Sequence, residues 1–193
     1  MTNSHPEEST SPEESNDALV RAWVEAAIIG LNLCPFAASP YKRQLVHISE
    51  CESANFDDAV GLLLDETDAL ITLDASDRAT TLVVFPHGFE DFEDFMELVG
   101  ACDALYDKAG VRGVLQLAHF HPDYRFAGER QDALSNYTNR APFPVIHIIR
   151  EADISDAALA HPDLESIPTT NIARLEEMGR ASVEALWGAF MVS

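Results

Sequence analysis

The chain has 193 residues, a formal net charge of −21 and 47 % hydrophobic residues. This length suits one domain with a substantial core. So acidic a surface repels phosphate backbones and anionic lipid, which sets aside nucleic acid and membranes as partners.

Residues 1–15 are rich in Ser, Glu and Pro and contain no apolar segment of signal-peptide type. They are expected to form a disordered acidic tail ahead of a single globular domain over 16–193. No apolar run approaches the length of a bilayer span. The three cysteines, Cys34, Cys51 and Cys102, are widely spaced. They are expected as reduced thiols in a cytoplasmic protein.

In chain order, Asn16 or Asp17 caps a first helix whose apolar residues (Val20, Trp23, Val24, Ala27, Leu31) recur at i, i+3, i+4. Gly30 and Asn32–Pro35 end it. A short strand at 45–49 precedes a second helix from Asn55 to about Leu73. The β-branched run TTLVVF at 80–85 reads as a buried strand. Asp91 caps a third helix closed by Gly110. A strand at 111–120, a polar loop at 122–141 and a strand at 144–150 follow. A last helix opens at Thr170 or Asn171 and runs to about Phe190. The order α-β-α-β-α-β-β-α predicts an α/β or α+β fold. It would have a mixed, partly parallel sheet of about four strands packed with amphipathic helices, and the last two strands could pair antiparallel.

Five of the seven histidines fall in or at the ends of these strands. His119 and His121, two apart, share one face of the third strand at its C-terminal end, where open sheets bind ligands. A lone strand histidine is usually packed and hydrogen-bonded, which is the plainer account of His47; His87 suits a surface turn. Two adjacent imidazoles are costly to bury without a partner. A metal, a carboxylate or a substrate anion would remove that cost, and His-x-His is a workable metal-ligand spacing. The third ligand could come from Cys34, His147, Asp123 or Glu151, with a divalent metal such as zinc as the candidate cofactor.

Cys34 lies in GLNLCPFA, just past a helix end and before a proline. It reads either as a small buried thiol or as a thiolate, serving as ligand or as a nucleophile activated by histidine. In NYTNRAPFPVIHIIRE, residues 136–151, hydrogen-bonding side chains are dense, and Arg125, Arg130, Arg140 and Arg150 cluster in a chain poor in basic residues. Arginine suits forked recognition of carboxylate or phosphate, although local acids could simply balance these charges. Asn139, Arg140, His147 and Arg150 are the candidate substrate-binding residues. Walker-type and GxGxxG loops, GxSxG, HExxH and CxxC are all missing.

With TTLVVFP and the helix after it, GLNLCPFA at 30–37, HFHPDYRFAG at 119–128 and TNRAPFPVIHIIRE at 138–151 give the chain its resemblance to the DUF1415 family of bacterial and plant proteins. The resemblance spans roughly residues 17–185. It implies no activity, so no catalytic role is carried over with it. From the residues themselves, a small cytoplasmic enzyme is expected. Cys34, His119 and His121 would carry metal-assisted or thiol-based hydrolysis or group transfer on a small anionic substrate. The alternative is a non-catalytic binding module for an acidic metabolite or a metal.

Overall fold

A computed structural model describes residues 15–160 and 163–191, with the side chains of 156–160 excepted. Residues 1–14, most of the expected tail, lie outside the described residues. Ser15, assigned to that tail from sequence, instead caps the first helix by accepting a hydrogen bond from the Ala18 N–H.

The first helix α1 (Asn16–Trp23) continues as a π-helical turn, Val24–Ile29. A short α2 (Ala38–Lys42) leads into β1 (Val46–Glu50). Then follow α3 (Phe56–Thr72), β2 (Thr80–Val84), α4 (Phe92–Ala109) and β3 (Leu115–Phe120). A 3-10 helix, Leu134–Asn139, precedes β4 (Val145–Arg150) and α5 (Glu151–Ala160). The chain closes with a 3-10 turn at Leu164–Ser166, then α6 (Ile167–Met178) and α7 (Arg180–Gly188).

The four strands form one sheet in the order β1-β2-β4-β3. β1 and β2 are parallel, and β4 is antiparallel to both of its neighbours, so β1, β2 and β3 share a direction. Both faces are covered. Val83, Ile146, Ile148 and Leu115 pack with Leu63, Leu70, Phe95 and Leu98 of α3 and α4. Leu82, Val84 and Val145 pack with Val20, Trp23, Leu175, Val183 and Trp187 of α1, α6 and α7. Burial on both faces accounts for the continuous apolar run of β2 and for β4 beginning on two buried residues after Pro142 and Pro144.

Several predicted helix ends hold. The Asn55 carboxamide accepts from the Asp57 and Asp58 N–H groups, and the Asp91 carboxylate accepts from Glu93 and Asp94. Gly110 closes α4 in the left-handed region at φ 69°. β3 starts four residues later than predicted. Residues 111–114 form a turn in which the Val111 N–H bonds the Tyr106 carbonyl and Leu115 bonds Val111. The predicted last helix is two helices broken at Gly179, whose φ of 77° and ψ of 152° no helix tolerates. α2 and α5 were not predicted: α2 has five residues, and α5 follows β4 with no linker.

The π turn is built around Gly30. Its N–H bonds the Glu25 carbonyl five residues back, and a Cβ at this position would collide with the Ala26 carbonyl oxygen. Gly30→Ala must therefore displace backbone rather than a side chain. It is expected to lower stability by about 2 kcal/mol, the middle of the range for overpacking. Denaturant unfolding checks this, and an unchanged midpoint would show that the turn relaxes freely.

Candidate functional site

The predicted site residues distribute over both faces and both ends of the sheet. His119 pairs across β4 with Ile146, so its ring lies on the α3–α4 face, against Phe95 and Tyr124. His147 pairs with Leu82 and Ala118 and points to the opposite face. Cys34 follows Leu33, which belongs to the core on that opposite face. The expected meeting of His119 and His147 is therefore corrected: their rings lie on opposite faces of the sheet. Among the described residues no three His, Cys, Asp or Glu side chains are grouped to hold a metal ion. The donor set expected for zinc does not fit.

His121 does share a side with His119, since both rings lie against Phe95. Its two nitrogens are already committed. The Asp123 N–H donates to Nδ1 at 3.0 Å, so the proton sits on Nε2, which donates to the Phe89 carbonyl at 3.0 Å. Burial pushes its pKa down despite the Phe89 carbonyl, which favours the charged ring. His121 is thus a neutral brace between the end of β3 and the β2–α4 loop, and neither nitrogen is free for a metal or a substrate proton. His119 is half-buried, its Nε2 3.4 Å from the Tyr124 hydroxyl, and burial lowers its pKa too.

Burial pushes the Cys34 thiol up, against the smaller help of the Phe36 and Ala37 N–H groups, which is the reverse of an activated nucleophile. The Cys34 loop is held from α6. Asn171 donates to the Leu33 carbonyl at 2.7 Å, and Arg174 donates to the carbonyls of Leu31 and Asn32.

Among the substrate-binding candidates, Asn139 clamps β3: its amide donates to the His119 carbonyl and its own carbonyl accepts from the His121 N–H. The His147 Nε2 lies 2.6 Å from the Thr80 hydroxyl, which donates to the Ile148 carbonyl. Arg150 donates to the carbonyls of Leu73 and Arg78, tying the end of α3 to β4. It is the last residue of β4, at the far end from Arg140 of a six-residue strand that spans roughly 20 Å. Glu151, a candidate ligand, instead accepts from the Gly113 N–H.

Arg140 is placed differently. It lines an open cavity of about 550 Å³ between the 121–140 loop and α7, together with Arg130, Arg180, Tyr137 and Asp132. The walls of this cavity come from the segment that joins the carboxyl end of β3 to β4 and from α7. The Arg140 guanidinium stacks on the Tyr137 ring, 4.4 Å from its centroid, and Nη2 donates to the Gln131 carbonyl at 2.7 Å. The Arg140 carbonyl accepts from the Trp187 Nε1–H at 3.0 Å, and the Tyr137 ring meets Trp187 edge-on. Stacking and hydrogen bonds thus fix a planar cation at the cavity wall. Among the described residues Arg140 has no carboxylate partner, and its Nε is buried without a hydrogen bond.

The loop that carries Arg130 and Asp132 is shaped by Asn136, which is fully buried. Its amide donates to the carbonyls of Arg130 and Gln131, and its oxygen accepts from the Phe126 N–H. Sequence reasoning noticed Asn136 only as one polar residue among several. Arg180 was missed altogether, because its place beside the loop depends on the break at Gly179 and on helix docking.

A mixed four-stranded sheet with helices on both faces and an arginine-lined cavity at one end defines the architecture. The profile of the family described as "Protein of unknown function (DUF1415)" matches residues 15–185, and the chain belongs to that family. No curated protein and no solved structure matches it. Among the described residues no helix is long and apolar enough to cross a membrane.

Proposed function

We propose that the chain binds a small anionic molecule in the cavity lined by Arg130, Arg140 and Arg180. The observation that carries this is Arg140: a half-buried guanidinium, oriented by Tyr137 and Gln131, that pairs with none of the three carboxylates (Asp123, Asp132 and Glu184) lining the cavity beside it. Arginine in that state is a ready fork for a carboxylate or a phosphate. Burial raises the pKa of the Cys34 thiol, both nitrogens of His121 are engaged and His147 points to the other face of the sheet, so binding is the role these observations support. We place the protein in the cytoplasm, where its three free cysteines remain thiols.

Calorimetric titration with succinate and with inorganic phosphate at low ionic strength tests this. At least one of the two is expected to bind, and Arg140→Gln is expected to weaken binding by about 10- to 100-fold, the loss of one charge-assisted hydrogen bond. Unchanged affinity in a folded Arg140→Gln protein would remove the proposal, as would the failure of both anions to bind.

A further inference from the structure

Arg130 and Arg180 also line the cavity, but Asp132 occupies Arg130 and borders Arg180, whose Nη1 donates to Glu184 at 3.2 Å. Arg130 holds it with two parallel contacts, Nε to Oδ1 at 2.9 Å and Nη2 to Oδ2 at 3.2 Å. The second carboxylate oxygen also lies 4.0 Å from Arg180 Nη2, which donates to the Asp132 carbonyl at 2.6 Å. A carboxylate is therefore already seated on an arginine fork inside the cavity, one residue from the carbonyl that anchors Arg140.

We propose that Asp132 occupies the second anion position of this cavity and that the ligand is a small dicarboxylate, one end on Arg140 and the other displacing Asp132 from Arg130 and Arg180. This rests on the anion-binding role proposed above and adds the ligand class to it. The Asp132 pair is displaceable. The Arg130 and Asp132 side chains are 85 % and 57 % exposed, and ion pairs so open to water contribute little. A ligand carboxylate recovers the same fork. Because Arg180 also holds the Asp132 backbone carbonyl, the loop keeps its course when the side chain swings away. Asp132 thereby raises the threshold for any second anion, so single anions gain nothing from Arg130 and Arg180 while a tethered second carboxylate does.

Calorimetry with butyrate, succinate and glutarate separates the possibilities. Succinate or glutarate is expected to bind at least tenfold more tightly than butyrate. Asp132→Asn is expected to tighten the dicarboxylate several-fold and by more than it tightens butyrate, and Arg130→Gln to remove the dicarboxylate's advantage. Equal affinities for one and two carboxylates, with Arg140 still required, would overturn the dicarboxylate assignment and leave the anion site standing. Weaker dicarboxylate binding in Asp132→Asn would also overturn it. Binding indifferent to Arg140→Gln would overturn both.

Discussion

Acidification from pH 6.5 to 4 is expected to cost the fold about 3 kcal/mol through His147 alone. Burial pushes this histidine's pKa down to about 4 from an ordinary value of 6.5. The tautomer is set by the neighbour. The Thr80 hydroxyl gives its one proton to the Ile148 carbonyl, so its oxygen accepts from the His147 Nε2–H. Among the described residues Nδ1 has no hydrogen-bond partner, and nothing rewards a second proton on the ring. The unfolded chain takes up that proton near pH 6.5, whereas the native chain resists it until about pH 4. The stabilisation is therefore complete above pH 6.5, falls as the pH drops through that window, and is gone below it. His119 and His121 are lowered in the same direction by burial and add to the loss with the same sign. His147→Gln keeps a donor for Thr80 and cannot titrate, so urea unfolding between pH 7.5 and 4 should show a shallower acid slope in the variant. Parallel curves for the two proteins would refute the assignment to His147.

Removing the Asn136 carboxamide is expected to destabilise the chain by about 3 kcal/mol, since three hydrogen bonds between this fully buried side chain and the loop backbone disappear. In a chain of this size that corresponds to a melting temperature lower by roughly 6–12 °C. The effect extends to binding, because the Arg130 and Gln131 carbonyls held by Asn136 fix the loop that carries Arg130 and Asp132 and anchors Arg140. Asn136→Ala should therefore also weaken succinate binding about tenfold in protein that remains folded at low temperature. Asn136→Asp should be no better, since a carboxylate cannot donate to the two carbonyls that the amide satisfies. Thermal melts with calorimetry below the transition test both halves. A shift under 2 °C would mean that water replaces the carboxamide.

What was legible in the sequence, and what was not, divides by the range of the interactions involved. The helix start at Asn55, the cap at Asp91, the stop at Gly110 and the β-branched run of β2 are local effects, and they stand as expected. The shared side of His119 and His121 follows from strand alternation and holds as well. The relation of His119 to His147 depends on register across two strands, which no spacing within either reveals. Shifting β4 by one residue against β3 would have put both on one face. The same limit hid the pocket. Arg140 and Arg150 look equivalent in a list of nearby arginines, but β4 runs between them and carries them to opposite ends of the sheet. The Arg180 contribution needed α7 to dock against the 3-10 helix of the loop.

The strand order has a bearing on how the protein is made. β4 is the last strand synthesised, yet it sits between β2 and β3, and its register binds both. Until residue 150 has left the ribosome, β3 has no partner in the sheet and β2 keeps one bare edge. The helices that cover Trp23 and Val20 on one face arrive later still, with Leu175, Val183 and Trp187. Assembly is therefore dominated by contacts distant in sequence, the regime of slow folding and exposed strand edges. An emerging chain of this kind depends on protection from self-association until β4 has docked between β2 and β3.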